Sequence, residues 1–159
     1  MSASAPAPFG AESFFDGELL DVALCGAKLS QNDKGEPRLR LDFRLDVTPA
    51  LAERLPLNLL AAYESFSDPA TTRHDLATGF PARTAELYQT ERKRQDLTAP
   101  FVTLFRFRFQ RKLPGGAIWL EFSFECDPQE VSNFWATHFG HQMTLKVERV
   151  QRILPGGGE

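Results

Sequence analysis

Two stretches of the sequence concentrate side chains able to do chemistry. The first, Phe105-Arg106-Phe107-Arg108-Phe109-Gln110-Arg111-Lys112, interleaves rings with cations, the combination with which sheet platforms stack bases and hold phosphates. The second, residues 68–100, carries Arg73, His74, Arg83, Arg92, Lys93 and Arg94 together with Phe80 and Tyr88. Positive charge and exposed aromatics would share a surface there, diluted by Asp75, Glu86, Glu91 and Asp96. Such a mixture suits either a solvated, salt-bridged helix or a surface that meets a partner.

Strand geometry argues against a platform in the first stretch. Successive side chains of a strand point to opposite faces, so Phe105, Phe107 and Phe109 share one side and Arg106, Arg108 and Lys112 the other. Pro114-Gly115-Gly116 marks a hairpin between strands over 101–112 and 118–126. A two-residue loop at Gly115-Gly116 sets Leu113 opposite Ile118. Phe109 then meets Phe122 and Phe107 meets Phe124, while Gln110 meets Glu121 and Arg106 meets Glu125. The rings become a core face, and carboxylates oppose much of the basic stripe.

The remaining constellations are weaker. His138, His141 and Cys126 lack a Cys-x-x-Cys pair or an acidic residue at helical spacing to complete a metal site, and His138 reads as a helix-end histidine. Cys25 before Gly26 and Ser67 before Asp68 approximate a nucleophile at a tight turn, without the strand-turn-helix setting that exposes one. No glycine-rich loop joins a strand to a helix, so nothing cradles a phosphate. The sequence therefore assigns no catalytic residue, no metal and no cofactor.

These residues belong to a chain of 159, 42% hydrophobic and 25% charged, the composition of one folded domain able to bury roughly two thirds of its unfolded surface. Fourteen phenylalanines against two tryptophans and two tyrosines predict a core assembled from rings. A net charge of -3 gives no global positive field, so nucleic acid or anionic lipid would need a local patch. No run reaches the ~18 apolar residues of a membrane helix, and the N-terminus lacks the regions of a secretory signal. A cytoplasmic protein is expected, with Cys25 and Cys126 reduced and buried in strands.

Periodicity supplies the scaffold. Leu20, Val22 and Leu24 share a face of a strand over 17–29, and a polar loop follows. Leu39, Leu41, Phe43, Leu45 and Val47 then alternate with Arg38, Arg40, Asp42, Arg44 and Asp46. Thr48-Pro49 opens a helix to about Ser65, which Pro56 divides. Ala82 to Arg94 offers an exposed helix, Asp127-Pro128 opens another that ends near Gly140, and 142–154 returns to strand.

The expected architecture is α+β: a curved antiparallel sheet or partly open β-barrel of about five strands with two packed helices, which a barrel of the oligonucleotide-binding type would realise. It occupies 14–154 as a single domain, with 68–100 as a long polar excursion and 1–13 and 155–159 as flexible tails.

The expected function is that of a non-enzymatic binding or accessory protein, acting on a protein partner or by self-association as a homo-oligomer. Arg73, Phe80, Arg83, Tyr88, Arg92, Lys93, Arg94, Arg106, Arg108 and Trp135 are the candidate binding residues. The alternative is a single-stranded nucleic-acid-binding protein, with Arg38, Arg40 and Arg44 joining Arg106 and Arg108 on phosphates.

Overall fold

The structure, a computed structural model, describes residues 14–15, 17–89, 94–131 and 142–149. Among these residues seven strands form in chain order: β1 (Leu19–Gln31), β2 (Pro37–Asp46), β3 (Arg73–Leu76), β4 (Phe80–Gln89), β5 (Arg94–Arg111), β6 (Ile118–Cys126) and β7 (Gln142–Arg149). Six of them close an antiparallel barrel in the order β1-β2-β6-β5-β4-β7, with β7 returning to β1. β3 is the additional strand, paired with β5. Two helices, α1 (Pro49–Ala52) and α2 (Leu57–Glu64), lie between β2 and β3. The fold is α+β with a closed barrel, of six strands where the oligonucleotide-binding type has five.

The alternation in β2 sends Leu39, Leu41, Phe43, Leu45 and Val47 into the core, as the period of two requires. β1 does the same with Leu20, Val22 and Leu24. Thr48 caps α1 through its hydroxyl, which accepts from the Leu51 amide at 3.2 Å, and Pro56 separates the two helices. Leu59 and Ala62 of α2, with Phe66 beyond it, bury their side chains, and Tyr63 and Phe66 meet the ring of Phe109 edge-on. Phenylalanine rings fill the interior. Phe14 lies among Phe15, Phe80, Phe107 and Phe122 at centroid distances of 4.9, 6.0, 5.5 and 5.0 Å, and Phe43 stacks between Phe122 and Phe124.

Several expectations are corrected. The stretch read as a polar excursion supplies β3, β4 and the start of β5, and Ala82 to Arg94 is strand through Gln89, not helix. A bulge against β7 between Ala82 and Thr84 explains the misreading. Phe80 and Ala82 point inward before it and Ala85 and Leu87 after it, so the parity changes mid-strand and the period of two disappears. Phe80 is consequently a core ring, only 2% exposed, rather than a surface aromatic.

The hairpin is also re-registered. Arg111 pairs with Ile118, Phe109 with Leu120 and Arg108 with Glu121, a slide of two residues that keeps the side chains from Phe107 to Arg111 on their expected faces. The turn is closed by the Gly116 amide donating to Leu113 O at 2.9 Å. A second bulge, at Arg106 with φ of 61°, flips β5. Phe107 and Phe109 face inward on one side of it and Val102 and Leu104 on the other, so Phe105 leaves the core face.

The helix expected after Asp127 begins as a 3-10 turn over Pro128–Val131, and its continuation, with Trp135, His138 and His141, lies outside the described residues.

Candidate surface cleft

The outer faces of β3, β5, β6 and β2 carry a ladder of charges at matching heights. Asp75, Arg108, Glu121 and Arg44 stand side by side through the registers of β3–β5, β5–β6 and β6–β2. Arg108 Nε donates to Asp75 Oδ1 at 2.9 Å, and its Nη1 lies 3.7 Å from Glu121 Oε1. Trp119 Nε1 donates to Glu121 Oε2 at 2.9 Å, and the Arg44 guanidinium sits 3.9 Å above the Trp119 ring. Alternating signs across neighbouring strands are the arrangement in which exposed charges stabilise a sheet rather than repel.

One row along, Ser123 Oγ donates to Asp42 Oδ1 at 2.6 Å, and Arg40 grips both oxygens of that carboxylate at 2.9 and 3.2 Å. Asp42 faces Gly26, which follows a bulge in β1 at Cys25. The bulges at Cys25 and Arg106 flank a cleft of about 330 Å³, lined by Cys25, Asp42, Asp75, Arg106, Arg108, Glu121 and Ser123 among others.

Cys25 is exposed on the outer face rather than buried as expected, and its thiol donates to Asp42 O at 3.5 Å. Desolvation in the cleft, then the charges of Glu121 and Asp42, push its pKa up, so it rests as the thiol. That is the wrong direction for a nucleophile. Among the described residues Ser123 has a carboxylate but no imidazole, the His74 ring contacting Ser65 Oγ at 3.0 Å. Among the described residues no three His, Cys, Asp or Glu side chains gather to hold a metal, and no helix is long and apolar enough to cross a membrane.

Two effects can be measured here. A Cβ on Gly26 would stand 2.6 Å from Asp42 Oδ2, so Gly26→Ala must turn that carboxylate away from Arg40 and Ser123. A loss of about 1–2 kcal/mol in denaturant unfolding is expected. Asp75 is held at a pKa of about 2, against 3.8 in its ordinary state, chiefly by the Arg73 hydrogen bonds, with Arg108 adding to them and desolvation opposing. A lowered carboxylate pKa stabilises the fold above pH 3.8 and loses that contribution as pH falls through about 2. Following the Asp75 carboxyl by NMR should give a midpoint near 2, rising toward 3.8 in Arg73→Gln.

The sequence-selected residues divide among these surroundings. Arg73, Arg106 and Arg108 come together at the cleft or its rim. Arg83 is exposed on β4, at the level of Phe101 rather than Arg106 along the neighbouring β5, and Tyr88 is half-buried on the same strand, its hydroxyl donating to Glu86 Oε1 at 2.5 Å. Arg92, Lys93 and Trp135, and the side chain of Arg94, lie outside the described residues. Sequence reading missed Cys25, Asp42, Asp75, Glu121 and Ser123 as one group. The outward parity of Asp42, Glu121 and Ser123 was visible, that of Cys25 and Asp75 was not, and the adjacency depends on β2–β6 pairing between segments about eighty residues apart, Asp42 and Ser123 being separated by 81. No protein-family profile, curated protein or solved structure matches the chain.

Proposed function

We propose that the protein is a non-catalytic binding module that acts through protein contacts, with another protein or a second copy of itself. The observation that carries this reading is the position of β3. Each barrel strand has a neighbour on both sides, whereas β3 pairs with β5 alone among the described residues. An unpaired strand edge is a template for main-chain pairing with another chain. The interior supports the same reading, since the described barrel residues fill it with phenylalanine and aliphatic side chains. So does the resting state of the cleft, where desolvation and the neighbouring carboxylates keep Cys25 as the thiol.

Single-stranded nucleic-acid binding finds less support. Phosphate contacts need free cations, but Arg40 is held by Asp42, Arg73 and Arg108 by Asp75, Arg38 donates to Glu125 O at 3.2 Å, and Arg106 lines a cleft with Asp42, Asp75 and Glu121. The decisive experiment combines light scattering of the purified chain over a range of concentrations with affinity capture and reconstitution of any captured protein from pure components. Self-association or a reconstituted complex bears the reading out. A monomer that reconstitutes with nothing, yet binds labelled oligonucleotides with steep salt dependence, overturns it in favour of nucleic acid.

A further inference from the structure

The charges around the cleft are unevenly satisfied. Asp42 is engaged by Arg40 and Ser123, Asp75 by Arg73 and Arg108, and Glu121 by Arg108 and the Trp119 indole. Arg106 is different. It lines the cleft and is exposed, and among the described residues its guanidinium has no hydrogen bond or ion pair. Its backbone stands at φ of 61° in the β5 bulge, between the paired positions Phe105↔Ser123 and Arg108↔Glu121. A planar fork of five donors with no acceptor is what remains to be satisfied.

The surroundings narrow what can satisfy it. A run of phosphates laid over this surface would pass Asp42, Asp75 and Glu121, and like charges at a few ångströms repel. One carboxylate meets the fork without carrying further negative charge onto those walls. The cleft also presents Leu76 and the neutral Cys25 thiol, contacts suited to uncharged residues on either side of that carboxylate. Its volume, about 330 Å³, suits a few side chains rather than a large cofactor.

We propose that this cleft seats a single carboxylate of a partner protein, borne on an extended segment with uncharged neighbours, and that Arg106 is its principal contact. The proposal rests on the reading of the chain as a protein-binding module and names the partner's chemistry. Bidentate contact with the guanidinium supplies the recognition, and the acidic walls exclude polyanions.

The test uses the full chain and fluorescent, end-capped peptide pools with neutral flanks and a fixed central residue: glutamate, glutamine, lysine or phosphoserine. The glutamate pool should bind in preference to the other three. Arg106→Gly removes the guanidinium while suiting the left-handed backbone, so folding is preserved, and affinity for the glutamate pool should fall about tenfold or more. Lys34→Gln, in the β1–β2 loop, should leave it unchanged.

Equal binding of the glutamate and glutamine pools, or wild-type affinity in Arg106→Gly, overturns the proposal. So does preference for phosphoserine or displacement of the peptides by oligothymidylate. A reconstituted protein complex that Arg106→Gly does not weaken overturns the cleft assignment while leaving the binding-module reading intact. Absence of any complex or self-association removes that reading itself.

Discussion

Replacing Arg111 with methionine is expected to destabilise the protein by about 3 kcal/mol or more, seen as a lower urea midpoint at unchanged slope. Arg111 stands at the inward parity of β5, on the face of Phe107 and Phe109, and is only 6% exposed. Among the described residues nothing acidic meets it. Its Nε donates to Thr71 O at 2.8 Å, and Nη2 donates to Asp68 O at 2.8 Å and Phe66 O at 3.2 Å. The guanidinium also lies 5.1 Å from the Phe66 ring centroid. One side chain thereby ties the end of β5 to the segment between α2 and β3.

Methionine would conserve much of the buried stem but leave the carbonyls of Phe66 and Thr71 without that donor. Each orphaned carbonyl costs about 1–3 kcal/mol. Asp68 O retains the Thr71 amide at 3.0 Å. Arg111→Lys should fall between the two, because an ammonium keeps the charge without the fork. A methionine variant within about 0.5 kcal/mol of wild type, the range of neutral surface changes, would show that Arg111 does not hold this end of the barrel.

Phe14→Ala is the second large effect, with an expected loss of about 3–5 kcal/mol. Phe14 precedes β1, yet it is 1% exposed and meets four other rings. Truncation would leave a ring-sized void among side chains from β4, β5 and β6 that cannot collapse without bending the barrel. For a domain of this size about 1 kcal/mol moves the melting temperature by about 2–4 °C, so a drop of roughly 10 °C or more is the readout. Phe14→Leu should cost less, since most of the volume remains. A drop of only a degree or two in Phe14→Ala would mean that this ring does not seal the core.

Long, regular strands were the most legible part of the fold. β2 alternates without interruption from Leu39 to Asp46, Val47 continuing the pattern beyond it, and its arginines and aspartates read correctly as outward-facing. Thr48 and Pro56 acted through local geometry, so the two short helices were legible as well. What escaped was produced by bulges. At Arg83 and Arg106 one extra residue changes the inward parity, so β4 lost its period and Phe105 was assigned to the core. β4 also fills its interior with Ala82 and Ala85, which carry little hydrophobic signal. The cleft required more still. The basic members Arg40, Arg44, Arg73, Arg106 and Arg108 had been named, but not as one site, because the acidic members are brought beside them by pairings between distant segments.

The closing pair of the barrel, β1 with β7, has a consequence for how the chain is made. Residues Leu19–Ala23 emerge from the ribosome long before Gln142–Met143-Thr144-Leu145-Lys146, with which they pair. β4 waits for the same strand along its other edge. Until β7 arrives, two main-chain edges stand open to pairing with other nascent copies. Such late, non-local closure places the protein among slow-folding topologies. Removing β7 takes away only eight strand residues, but two seams would open, converting a closed barrel into a sheet with a raw edge at either side.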